Sequence, residues 1–209
     1  GLNTPVVITY HGCDINDAKL RPFSRLAMLL STWNIFVSHR QMINAFGTQE
    51  RANRNKKWSI IPCGVNIAEC DAKYVKEEWF VNKFPKMNYV LFAGSFDSLV
   101  KNSSLAKQSV EIYNQNHPDC PIELLELRGY SRAEVVTLMH KCKTLLLTSI
   151  REGSPQVVKE AMACGCPIVS VDVGDVAERT NGLEGCYVVP TRNPQEIAKV
   201  LEESISFGR

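Results

Sequence analysis

The strongest constraint on this 209-residue chain is a regular alternation of short apolar runs with stretches of helical apolar spacing. Runs of four to six apolar residues are strand-length, and uninterrupted ones suit strands buried on both faces. Strands alternating with helices predict βα units around a parallel sheet, an α/β fold class. Strands are expected at Val6–Tyr10, Ile35–Val37, Ser59–Ile61, Tyr89–Phe92, Ile122–Leu127, Thr144–Thr148, Ile168–Val173 and Tyr187–Val189. Helices are expected over Leu20–Leu30, interrupted early by Pro22, over Arg40–Phe46, and from about Ser103 to Asn116. The run Ser131-Arg132-Ala133-Glu134 is a capping box that opens a helix reaching about Cys142. Asn193-Pro194-Gln195-Glu196 caps a last helix that runs toward the C-terminus.

Past Gly64 the alternation loosens into charged sequence with one helical stretch around Val75–Val81 and no buried strand. The expected organisation is therefore a Rossmann-like domain over 1–66, a linker over 67–86 and a second Rossmann-type domain over 87–209. The chain starts at Gly1 and Val6–Tyr10 already reads as a core strand, so the first domain is expected to lack its beginning. Lysine and arginine number 24 against 22 acids, which gives no argument for a nucleic-acid partner. No apolar run approaches the ~20 residues of a membrane span. The eight cysteines contain no C-x-x-C pair, so reduced thiols acting as small apolar residues are expected, with no structural metal.

Chemistry concentrates in Arg151–Pro167, REGSPQVVKEAMACGCP. Ser154 suits an N-cap, Pro155 the first helical position, and Gly165 with Pro167 a C-terminal stop. The helix so defined offers unpaired N–H groups and the positive end of its dipole just after Glu152, a setting suited to phosphate. Glu160 lies about 8 Å along that helix at 1.5 Å per residue. A carboxylate at the loop, anion-binding amides and a second carboxylate together suit a nucleotide-sugar. The phosphates meet the amides, and each carboxylate accepts hydroxyl hydrogen bonds, one from a sugar and one from a ribose. In parallel sheets ligands bind beyond the carboxyl ends of the strands, which here selects the loops Gly94–Lys101, Arg128–Ser131, Ser149–Gln156 and Gly174–Asp175.

The run Glu152…Glu160-Ala161-Met162-Ala163-Cys164-Gly165-Cys166-Pro167, set between TLLLTS and PIVSVDVG, resembles the donor motif of retaining GT-B glycosyltransferases of the family 4 type. The resemblance implies a GT-B-like fold: a donor domain at 87–209 and the later part of an acceptor-side domain at 1–66. It implies that Glu152 orients the donor sugar, that Gly153, Ser154, Pro155, Gln156 and Val157 line the donor, and that Glu160 binds ribose. Lys101, in AGSFDSLVKN, is similar to the lysine that neutralises the donor diphosphate; the alternative is a solvated loop lysine. Where the family often has an arginine after the strand glycine, this chain has Ser95, and Arg128 is a substitute for its charge. Tyr130, in the loop that receives the base, either stacks on that base or simply packs. His11, ending the first strand as TYHGCD, matches a histidine that faces the donor sugar; the alternative is a turn histidine satisfied by backbone. Asp14 is a weaker candidate in the same loop.

The reaction implied is sugar transfer from a UDP-, GDP- or ADP-sugar to a glycan or lipid-linked acceptor, with retention and with no cofactor or metal required. A lipid-linked acceptor would place the intact enzyme in the cytoplasm at the inner membrane face, as a peripheral protein. Two other readings stand beside it: a nucleotide-binding module without catalysis, and a GT-B-like sugar-nucleotide epimerase or phosphorylase. The two-glutamate motif favours the transferase over the epimerase or phosphorylase. On the module reading, this chain binds a donor without transferring its sugar.

Overall fold

The structure is a computed structural model that describes residues 4–85 and 88–207. These residues form two compact units. The first comprises residues up to Gly64 with two later segments, Arg151–Pro155 and Val173–Asp175. Its sheet has three parallel strands in the order β1 (Val7–Tyr10), β2 (Trp33–Phe36) and β3 (Trp58–Ile60). Tyr10 pairs with Phe36 and Phe36 with Ile60, so the large side chains fall in register. The helices are α1 (Cys13–Asn16), α2 (Arg21–Leu30), α3 (His39–Phe46) and α4 (Gln49–Asn55). Ser38 and Thr48 cap α3 and α4 by accepting the N–H of Gln41 and Arg51. Tyr10, Ile15, Met28, Phe36 and Met42 make the core, with the Tyr10 and Phe36 rings stacked at 5.2 Å. Burial of each such side chain stabilises the unit by about 1.5–3 kcal/mol before entropy is counted.

Pro22 does not interrupt α2. It stands in the first turn, where its missing N–H has no intrahelical acceptor anyway. Short α1 and α4 go beyond the expected elements, since four and seven residues carry too little periodicity to read.

The second unit contains five parallel strands in the order β5-β4-β6-β7-β8. These are β4 (Tyr89–Phe92), β5 (Glu123–Glu126), β6 (Thr144–Leu147), β7 (Ile168–Val171) and β8 (Cys186–Val189). All four residues of β4, β6 and β7 are buried; as successive side chains point to opposite faces, both faces of these strands are covered. The helices are α5 (Glu77–Lys83), α6 (Ser103–Asn116), α7 (Arg132–Lys141), α8 (Gln156–Ala163), α9 (Val176–Thr180) and α10 (Pro194–Ser206). Residues 67–85 carry two 3-10 turns, Ile67–Cys70 and Ala72–Tyr74, and then α5, and they cluster with this unit. The capping box at Ser131 and Glu134 is present at the start of α7. No helix among the described residues is long and apolar enough to cross a membrane.

The motif helix α8 opens at Gln156, one residue later than expected. Pro155 therefore stands just before the helix, and the Ser154 hydroxyl donates to Asp175 Oδ2 at 2.7 Å. At the other end Gly165 has φ +63°, and Cys166 N–H reaches back to the Ala161 carbonyl at 2.7 Å. A left-handed residue closing the helix with such a back-bond explains glycine at that position.

Candidate functional site

In the second unit β5 lies on one side of β4 and β6 on the other, so the chain reverses direction across the sheet between them. A crevice at the carboxyl ends of strands opens at such a reversal. Three loops leave that edge, and hydrogen bonds tie two of them together. Ile150 N–H donates to the Val100 carbonyl at 2.8 Å, and Thr148 Oγ1 lies 3.0 Å from the carbonyls of Lys101 and Asn102. Lys101 is half-buried, and a Cβ added at Gly94 would come within 2.8 Å of its Cγ. The glycine thus gives the lysine stem room to lie along the strand end. Arg192, 42 residues from Ile150, donates to the Ser149 and Ile150 carbonyls at 3.2 and 3.0 Å and fixes the same loop.

Arg128 leaves the end of β5 and reaches the loop after β4. Its Nη1 donates to Ser95 Oγ at 3.3 Å and forms an ion pair with Asp97. The serine that stands where the resemblance calls for an arginine is therefore met by a guanidinium from the neighbouring strand. Asp97 balances part of that charge. Tyr130 is used in packing: its ring lies edge-on to Trp79 at 5.9 Å, near Phe84 at 6.4 Å, with the Lys83 ammonium 4.8 Å from its centroid. Burial raises the Tyr130 hydroxyl pKa above its ordinary value.

Along α8, Gln156 is exposed, Val157 is half-buried, and Glu160 lies in the second turn. Glu160 Oε1 accepts a hydrogen bond from Arg132 Nη1 at 2.6 Å. The same guanidinium places Nε 3.3 Å from Glu69 Oε2 and donates from Nη2 to Cys70 Sγ at 3.6 Å. Desolvation opposes the Arg132 charge, but Glu160 together with Cys70 and Glu69 outweighs it and lifts its pKa above the ordinary value.

The remaining candidates belong to the first unit. His11 is exposed after β1, with Nδ1 3.7 Å from Cys63 Sγ. Asp14 accepts the N–H groups of His11 and Gly12 at 2.9 and 2.8 Å, so its carboxylate shapes the turn. The Glu152 carbonyl accepts from Asn16 Nδ2 at 2.9 Å, Asn44 donates to Asn16 at 3.1 Å, and Arg151 pairs with Asp17 at 2.9 Å. Gly153 is packed on the backbone of His11, where a Cβ would collide with the carbonyl oxygen. Only glycine admits this approach, and it brings the Glu152 segment against the histidine turn.

The structure thus gathers Ser95, Lys101 and Arg128 at one strand edge, and His11, Glu152, Gly153, Ser154 and Pro155 around one turn. Sequence reasoning did not single out Arg132, Asn16 or Arg192. Each acts across at least 28 residues of sequence, and none falls inside the Arg151–Pro167 run.

Parallel sheets with polar loops collected at their carboxyl edges define an α/β protein of the GT-B-like class. The chain belongs to the glycosyl transferases group 1 family, whose model matches residues 78–206. An uncharacterised glycosyltransferase of Methanocaldococcus jannaschii, MJ1178, is 26% identical, covering 98% of this chain and 60% of that protein. The Campylobacter jejuni N,N'-diacetylbacillosaminyl-diphospho-undecaprenol α-1,3-N-acetylgalactosaminyltransferase is 38% identical over 78 residues, 37% of this chain and 19% of that protein. Among solved structures, a UDP-forming α,α-trehalose-phosphate synthase from Burkholderia xenovorans superposes with TM-score 0.77 at 15% identity, covering 99% of this chain and 61% of that one. Anabaena Alr3699/HepE in complex with UDP-glucose gives TM-score 0.69 at 16% identity over 97% of this chain and 65% of that one. The chain spans about 60% of the length of the relative and the synthase that it matches almost end to end.

Proposed function

We propose that the protein transfers a sugar from a nucleotide-sugar to a glycan or lipid-linked acceptor with retention of anomeric configuration. The observation that carries this reading is the family match over 78–206, which contains Glu152 and Glu160 at the ends of one loop-and-helix segment. In this reading Glu152 holds the donor sugar through its hydroxyls, and Glu160 accepts from the ribose. The N–H groups at the start of α8 and the Lys101 ammonium stabilise the negative charge that grows on the departing diphosphate. Arg128, brought to Ser95, adds positive charge on the same side. By the resemblance, His11 supports the donor sugar and Val157 lines the donor. Leaving-group stabilisation by fixed charges needs neither a cofactor nor a metal. Work on a lipid-linked acceptor would hold the intact enzyme peripherally at the inner membrane face.

The donor site is tested by calorimetry of the chain against UDP, GDP and ADP. One nucleotide is expected to bind selectively, raising apparent stability by about 2.7 kcal/mol at a hundredfold excess over Kd. Glu160→Ala and Lys101→Ala are each expected to weaken it at least about tenfold, the equivalent of one charge-assisted hydrogen bond. Unchanged affinity in both variants would overturn the assignment.

A further inference from the structure

We infer that Arg132 is the positioning residue for Glu160, fixing its carboxylate for the ribose hydroxyls of a bound nucleotide. This rests on the reading of Glu160 as the ribose acceptor. A glutamate side chain has three rotatable torsions, and fixing them only when the ligand arrives subtracts from affinity. Here the fixing is already done. Arg132 Nη1 holds Glu160 Oε1 at 2.6 Å, and an ionised carboxylate with about four acceptor sites retains those on Oε2 for vicinal hydroxyls.

The guanidinium is itself held. Arg132 is the first residue of α7, directly after the Ser131 cap, and Ser131 N–H donates to Glu134 Oε2 at 2.7 Å. Glu69 stands 3.3 Å from Nε and the buried Cys70 sulfur 3.6 Å from Nη2. The turn Ile67–Cys70 is anchored in its turn, since the Cys70 carbonyl receives His140 Nε2 at 2.8 Å. A surface ion pair between two unsupported side chains would contribute little. This pair differs, because both partners sit on helices and the guanidinium meets two further groups, Glu69 and the Cys70 sulfur. The pair joins residues 28 apart, α7 to α8, and makes the second glutamate of the motif depend on a residue outside it.

The test measures Kd of the chain for UDP and for 2′,3′-dideoxy-UDP, with the GDP and ADP pairs in parallel. Wild type is expected to prefer the ribonucleotide by about tenfold or more, as hydroxyl bonds to a charged acceptor should give. Arg132→Gln is expected to cut that preference to about twofold while leaving the dideoxy affinity unchanged, with Arg132→Lys intermediate. Glu160→Gln should abolish the preference, and the double variant should lose nothing more. If Arg132→Gln keeps the full ratio while Glu160→Gln loses it, Arg132 has no positioning role and the donor reading stands. If Arg132→Gln weakens both ligands equally, its role is structural and the inference fails. If Glu160→Gln keeps the ratio, or no nucleotide binds, the ribose assignment falls and the inference with it. Should Arg132→Gln not fold, Arg132→Lys carries the same comparison.

Discussion

Strands β1 and β6 are each four residues long and paired in parallel, yet β6 is buried at every position and β1 only at Tyr10. Composition does not explain the difference, since VITY and TLLL are both apolar with one threonine. Position does. In the second unit β6 lies between β4 and β7, whereas among the described residues β1 pairs with β2 alone at the edge of its sheet. The contrast extends to helices. Helix α7 is pinned by a capping box and buries Val136, Leu138 and Met139. Helix α2 has no side-chain cap and leaves Phe23, Leu29 and Leu30 at 74%, 76% and 78% exposure. An apolar residue is stabilising only where a second layer covers it, and the two units differ in how completely that layer is built.

The largest test of this contrast is Leu146→Ala against Met42→Ala. Leu146 is fully enclosed in the middle of a covered sheet, so its removal is expected to cost about 4 kcal/mol in urea unfolding, near the top of the large-to-small range. Met42 is equally buried, but it sits in a smaller core behind an edge-on sheet that can relax, and about 2 kcal/mol is expected there. Equal losses would break the comparison.

A smaller effect should come from the cap of α7. Ser131→Ala is expected to cost about 1 kcal/mol. The bond from Ser131 N–H to Glu134 holds that carboxyl below its ordinary pKa. A depressed folded-state value means the folded form prefers the ion. The contribution is thus present above the unfolded carboxyl pKa and is lost as pH falls through the lower folded value. Stability followed from pH 6 to pH 2 should decline less steeply in Glu134→Gln than in wild type.

The smallest change in stability is expected at the uncovered helix. Leu29→Ser should alter unfolding free energy by no more than about 0.5 kcal/mol. A loss near that of Met42→Ala would mean that α2 is packed, and would erase the distinction between the units.

The same contrast explains what could be read from the sequence. Tyr89–Phe92 and Ser103–Asn116 were legible to the residue because continuous burial and a long amphipathic helix leave dense patterns. The run from Glu152 to Pro167 stands out in the sequence because its residues are contiguous. Its first turn was misread by one position, because Ser154 turns to Asp175, 21 residues away, while the helix itself begins at Gln156. Helices α1 and α9 were not legible at all; four or five residues show no period. The Arg132–Glu160 pair and the packing of Tyr130 beneath Trp79 are products of tertiary placement, and no local rule encodes them.

Helix α10 adds a matter of timing. It lies along α6, with His117 3.4 Å from Glu202 and Ser204 Oγ 3.0 Å from Thr144 Oγ1, and it buries Ile197, Ala198 and Leu201. A ribosome delivers this helix about 80 residues after it has delivered α6. Until then the nascent sheet stands with one flank bare, and the second unit cannot latch shut. A stretch of apolar chain waiting that long is exposed to chaperones and to its neighbours until α10 covers it.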